Sequence, residues 1–182
     1  MTVNPDNTVK GMRNLWRFDD LFSSTVLVEF DKNADLKLDA DELQDVADTI
    51  YQSLAEFNYF QVVTEDGKDV AMAPPPNLMV NFEDQQLIIV FEAAPKEPLK
   101  LAGTLAFGVY DPTFYTAIDF TEDDQLAGMP ASCTRAVVRP DPDEILSQNQ
   151  STLTDAFFND PAGTNMSKIF ATRLELTCRA EG

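Results

Sequence analysis

DKNADLKLDADE, residues 31–42, is the stretch on which the reading of the chain turns. Five of its residues are acids, and they fall at the spacing of an EF-hand calcium loop. Asp31, Asn33 and Asp35 hold the first, third and fifth positions. Lys37 is placed to offer its backbone carbonyl, Asp39 to reach a cation directly or through water, and Glu42 to close with two oxygens. Calcium is a hard cation that takes about six to eight oxygens, so short carboxylates alternating along a folded-back loop suit it. The sixth position dissents. It is normally glycine, because the chain turns left-handed there, and here it is Leu36. An L-residue in that conformation costs about 1–2 kcal/mol, so the hand is expected to form with its calcium affinity weakened or lost. The competing account is a solvated acidic helix-loop-helix in an acidic protein.

The flanks favour the hand. Phe22, Val26 and Phe30 precede the loop at helical spacing, with Asp19-Asp20 as the cap. Leu43, Val46, Ala47, Ile50, Tyr51 and Leu54 follow it as an apolar stripe of period 3.6. Residues 19–57 therefore read as an EF-hand-like helical insertion, and its stripe needs a surface to bury against.

Beyond Phe57 the period becomes two. Tyr59–Thr64 and Lys68–Met72 flank Glu65-Asp66-Gly67, a hairpin signal. Pro74-Pro75-Pro76 reads as an extended linker, and Leu78–Phe82 with Leu87–Phe91 as a second hairpin across Glu83-Asp84-Gln85. Further strands are expected at Gly103–Tyr110, Phe114–Phe120, Ser132–Arg139 and Ile169–Cys178, with a helix or loop over Asp143–Phe158. Thr8–Phe18 before the insertion has strand character, with Trp16 as its anchor. The sum is one α+β domain over residues 1–182, mainly an antiparallel, immunoglobulin-like β-sandwich carrying the EF-hand-like insertion.

Composition limits the chemistry. Thirteen basic against 31 acidic residues give a net charge of −18, which makes nucleic acid and anionic membranes poor partners. Histidine is absent, so Ser-His and Cys-His nucleophiles cannot be built and the commonest transition-metal ligand is missing. The longest apolar run falls far short of the roughly 20 residues that span a bilayer, so no membrane insertion is expected. Cys133 and Cys178 each fall in an expected strand, either as a bridge across neighbouring strands or sheets or as two buried thiols. Asp111, Asp119, Glu122 and Asp123 could serve a carboxylate-based hydrolase, but an acidic chain supplies such pairs by chance and nothing singles one out.

The blocks LWRFDDLFSS, DKNADLKLDADEL, SLAEFNYF, VYDPTFY, PASCT, VVRPDP and FATRLELTC occur in this order. In these the chain resembles a bacterial exported family, domain of unknown function family 1007, described as the periplasmic component of uncharacterised ABC-type transport systems. The resemblance implies an N-terminal signal peptide, removed from the mature chain, and a first strand with a His-Pro-His element. Neither is present here, so the segment has been removed or the chain diverges. It also implies glycine at the place of Leu36, a Cys133–Cys178 disulfide, an oxidising compartment and a membrane transporter component as partner. The expectation is a non-enzymatic periplasmic binding or accessory protein linked to metal-ion or ABC-type transport. Its calcium, held by Asp31, Asn33, Asp35, Lys37, Asp39 and Glu42, would be structural. A cell-envelope interaction module without a transport role, using Tyr110, Phe114 and Tyr115, is the alternative.

Overall fold

The computed structural model describes residues 1–111, 118, 130–149 and 167–179. Among these the strands are β1 (Thr2–Val3), β2 (Val9–Arg17), β3 (Gln61–Glu65), β4 (Lys68–Asp69), β5 (Met72–Ala73), β6 (Leu78–Glu83), β7 (Gln86–Pro95), β8 (Gly103–Val109), β9 (Cys133–Val138) and β10 (Arg173–Cys178). The helices are α1 (Asp20–Phe30), α2 (Ala40–Ala55) and α3 (Pro142–Gln148). The architecture is mixed α and β, with every strand pair antiparallel.

β7 organises the first sheet. β1 and then β2 lie to one side of it, while β6 and β5 share its other side end to end. Its alternation sorts the side chains: Leu87, Ile89, Phe91 and Ala93 are buried on the face that also carries Leu78, Val80 and Phe82 of β6. The second sheet runs β4-β3-β8-β10-β9. There Val63, Phe107 and Leu174 form one buried cross-strand row, and Leu105 with Leu176 another. Both sheets and the α1–α2 pair feed one continuous apolar cluster.

Two tight turns fix the registers. Glu65 pairs with Lys68 around Asp66-Gly67, whose φ values of 47° and 77° suit a two-residue hairpin that matches strand twist. Glu83 pairs with Gln86 around Asp84 and Gln85, both also at positive φ. The expected Lys68–Met72 strand divides: Lys68–Asp69 stays on β3, whereas Met72–Ala73 crosses to the first sheet and pairs with β7. The last strand begins at Arg173 rather than Ile169, because Ser167–Phe170 forms a 3-10 turn. α3 covers only the start of the expected Asp143–Phe158 helix; 150–166 and, except for Ile118, the expected Phe114–Phe120 strand lie outside the described residues.

The start of the expected Tyr59–Thr64 strand is also different. Asn58, Tyr59 and Phe60 all take left-handed φ, at 52°, 55° and 57°. Such a run costs about 1–2 kcal/mol per residue for L-amino acids, so its surroundings must over-determine it. They do. Asn58 donates to the Gln61 carbonyl at 2.9 Å and accepts the Met72 N–H at 2.9 Å. Tyr59 is buried, and Phe60 stacks on Trp16 with centroids 5.9 Å apart. This kink delivers the chain from α2 into β3.

Candidate metal centre

The helical insertion joins β2 of one sheet to β3 of the other. Asp19 caps α1, its Oδ1 accepting the Phe22 N–H at 2.8 Å. Ser23, fully buried, accepts the Leu87 N–H at 2.9 Å and so fastens α1 to β7. α2 buries Val46, Ala47 and Leu54 and lies against β6. The Tyr51 hydroxyl donates to the carbonyl of the buried Pro75 at 3.1 Å, in the linker before β6. The expected stripe thus finds its surface on the first sheet.

Between the helices the loop is ordered by its own side chains. α1 stops because Asp31 leaves the helical region, with φ −72° and ψ 90°. Asp31 Oδ1 and Oδ2 accept the N–H groups of Asp35 and Leu36 at 3.2 and 2.8 Å. Asn33 Oδ1 also accepts from Asp35, and Asp35 Oδ1 accepts from Lys37, both at 2.9 Å. Leu36 takes the left-handed conformation at φ 62° despite its side chain, which stands 75% exposed. Ala34 is left-handed too. Leu38 turns inward against the core.

Asp39 and Glu42 form a capping box at the start of α2. Asp39 Oδ1 accepts from Asp41 and Glu42, and Glu42 Oε2 accepts the Asp39 N–H at 2.9 Å. Glu42 Oε1 accepts the Lys32 N–H at 2.8 Å. One buried carboxylate, 3% exposed, therefore ties the two ends of the loop together. Across the same mouth Lys32 pairs with Asp45, and that contact holds its ammonium above the ordinary lysine range.

The donors are hard oxygens throughout, in the order calcium takes them. A carboxylate oxygen that accepts one N–H keeps a second lone pair, so the hydrogen bonds of Asp31, Asn33, Asp35 and Glu42 leave each able to ligate. As the loop stands, no three Asp, Glu, His or Cys side chains among the described residues gather into a metal-sized cluster. The residues match calcium's preference for oxygen donors in kind and order.

Cys133 and Cys178 are opposite each other on β9 and β10 and form a disulfide. The Arg179 N–H bonds to the Ser132 carbonyl, which makes the cysteine pair the closely approaching, non-hydrogen-bonded kind, with Cα atoms 4.1 Å apart. Of the remaining candidates, Asp111 is buried at the end of β8 and Tyr110 is partly buried beside it. Asp119, Glu122, Asp123, Phe114 and Tyr115 lie outside the described residues.

Over residues 1–178 the chain matches the family described as "Protein of unknown function (DUF1007)". The chain belongs to DUF1007. No curated protein and no solved structure matches it. In this DUF1007 protein the residue pattern showed the two helices about the Asp31–Glu42 loop, the Asp19 cap and the two strand cysteines, but not three further features. Ser23 was hidden because a serine on a helix gives no sign of meeting a strand. The buried Asn14, hydrogen-bonded to Gln61, interrupts the apolar period of β2 and was the available signal. Asn58 at the left-handed kink was the third, and asparagine is the residue type that tolerates that region. Among the described residues no helix is long and apolar enough to cross a membrane.

Proposed function

We propose that this DUF1007 protein is a non-enzymatic periplasmic accessory module, an immunoglobulin-like sandwich whose EF-hand-like loop holds a structural calcium ion. The observation that carries the proposal is Glu42, buried and joined by hydrogen bonds to both ends of an all-oxygen loop. The loop's helices are fixed to β6 and β7 by packing, by Ser23 and by Tyr51. A single hand so anchored has little freedom to open as a sensor, so calcium acts on stability rather than as a signal. Binding to the folded form alone contributes RT ln(1 + [L]/Kd), which becomes appreciable where calcium is plentiful. The Cys133–Cys178 disulfide supports an oxidising compartment. The link to a metal-ion or ABC-type transporter rests on the family resemblance, and fold alone does not carry it.

The test is a thermal melt of chelator-treated protein, titrated with calcium and then magnesium, beside Glu42→Gln. Calcium is expected to raise Tm in the parent protein only, with magnesium weaker. An unchanged Tm at millimolar calcium sinks the structural-calcium role. For the transport link, crosslinking in intact cells is expected to join the protein to a transporter subunit; crosslinks confined to other envelope proteins would sink it.

A further inference from the structure

β6 ends its sheet with an edge that matches itself. Glu83 and Gln86 flank the two-residue turn into β7, and the pair next to such a turn exchanges both main-chain bonds. Alternation makes Asn81–Ile88 and Met79–Val90 the other hydrogen-bonded pairs. The N–H and C=O groups of Leu78, Val80 and Phe82 therefore face away from β7. The Phe82 N–H is met by Asn81 Oδ1 at 2.9 Å, a side chain standing where a neighbouring strand would place a carbonyl. Among the described residues no strand pairs with this edge, and no other hydrogen bond reaches it. It lies across β7 from β1 and β2.

The side chains tell the same way. Leu78, Val80 and Phe82 point to the core yet stay half-buried, whereas Leu87, Ile89 and Phe91 on the adjacent strand are buried. The apolar layer thus runs out at β6 with nothing to close it. On the other face Met79, 56% exposed, and Asn81 stand in solvent. From Val70 to Phe82 there is no charged residue. Exposed edges are usually guarded by lysines, inward-pointing charges, prolines or bulges, and β6 holds none of these.

We propose that β6 pairs antiparallel with β6 of a second copy, about a two-fold axis at Val80, so that the two sheets become one. In that register Leu78 meets Phe82 and Val80 meets Val80 on the core face, Met79 meets Asn81 on the outer face, and Glu83 meets Asn77. Apolar residues face apolar ones along the core side, and no acid faces an acid. The backbone agrees, because the outward-facing residues of the two copies fall opposite one another and can exchange both bonds. Moving the axis to Phe82 sets Val80 against Asp84 and Asn81 against Glu83, and moving it to Leu78 brings in Pro74 and Pro76. A net charge of −18 on each copy opposes the contact, and salt screens that repulsion. The pairing needs neither calcium nor a transporter, so it stands or falls apart from the accessory role.

The experiment follows sedimentation of the full chain from micromolar to millimolar concentration, at low and at high salt. Dimer is expected to increase with both. In the isotope-labelled protein the Leu78, Val80 and Phe82 amides are expected to gain exchange protection as dimer forms, while those of Met79 and Asn81, bonded to β7, exchange slowly throughout. Met79→Glu/Asn81→Glu changes two exposed side chains, with circular dichroism as the check on the fold, and sets acid against acid at both outer pairs; dimer affinity is expected to fall about tenfold. Met79→Lys/Asn81→Glu sets opposite charges at the same pairs and is expected to restore it. A chain that stays monomeric at millimolar concentration in high salt overturns the proposal. A Val80 amide already protected in the monomer overturns it by showing the edge covered within one chain, and a dimer indifferent to both variants overturns it by placing the contact elsewhere.

Discussion

The side-chain amide of Gln61 donates to the side-chain carbonyl of Asn14 at 3.2 Å, a buried hydrogen bond that crosses from one sheet to the other. Each partner is further tied locally, Gln61 to the Tyr59 carbonyl and Asn14 to the Met12 carbonyl, both at 3.1 Å. Asn14→Leu removes the acceptor of one Gln61 amide N–H while the bond to the Tyr59 carbonyl stays, and an unsatisfied buried polar group costs about 1–3 kcal/mol. Replacing both, Asn14→Leu with Gln61→Met, removes donor and acceptor together and is expected to cost less than the two single changes summed. Urea unfolding of the four proteins measures the coupling. Strict additivity would show that the pair does not act as a unit.

Reduction of Cys133–Cys178 is the second prediction. The bridge spans a sequence separation of 45, and in the chain-entropy account a loop of that size is worth about 4 kcal/mol. The strands it joins are otherwise held by a short ladder, with β9 at the sheet edge. Cys133→Ser/Cys178→Ser is expected to lose about 2–4 kcal/mol of unfolding free energy, and reductant to do the same to the parent but nothing more to the variant. A reductant effect of equal size on both proteins would point away from the disulfide.

How far such features could be read from sequence depends on whether their cause is local. The helices on either side of the Asp31–Glu42 loop, the Asp19 cap and the Asp66-Gly67 turn rest on residues a few positions apart, and they form as expected. The Asn14–Gln61 bond, the Ser23–Leu87 bond and the division of Lys68–Met72 between two sheets depend on partners 47, 64 or some twenty residues away. Spacing rules do not reach that far. Leu15 illustrates the converse: it is an apolar residue in the expected Thr8–Phe18 strand, but β2 changes its inward-facing set between Gly11 and Met12 and leaves Leu15 outside. The match of the Cys133 and Cys178 registers was likewise settled only by the sheet, although each strand was visible alone.

Alkaline pH supplies the third prediction. Burial pushes the Tyr110 hydroxyl up to about 12, with the neighbouring Asp111 carboxylate adding to the effect, and burial also raises that of Tyr59. The unfolded chain ionises these groups first, near the ordinary value of 10.0. Their stabilisation is therefore full below about pH 10 and is lost as pH rises through the folded-state values. Absorbance at the phenolate band is expected to show two tyrosines titrating late, together with a Tm that falls over the same range. All tyrosines ionising together near pH 10 while the near-ultraviolet circular dichroism stays native would contradict this.

Leu36→Gly tests the loop at the position where it departs from the motif. The Leu36 backbone is already left-handed at φ 62°, and its N–H already donates to Asp31 at 2.8 Å, so the change alters no hydrogen bond. The side chain is 75% exposed and gives up little packing when removed. Glycine relieves about 1–2 kcal/mol of left-handed strain but adds about 0.5–1 kcal/mol of unfolded-chain entropy. The metal-free variant should therefore gain about 0.5–1 kcal/mol, a rise in Tm of roughly 2–3 °C for a chain of this size. Calcium binding needs the same backbone at this position, so any strain that the ion tightens is also removed and affinity should increase. The two effects separate by measurement: melts with chelator give the first, and calcorimetric titration with calcium gives the second. A variant more stable without metal but no better with calcium would locate the obstacle in the ligand arrangement around Glu42, not in Leu36. A variant less stable without metal would mean that the leucine side chain restrains the loop in a way its exposure does not suggest.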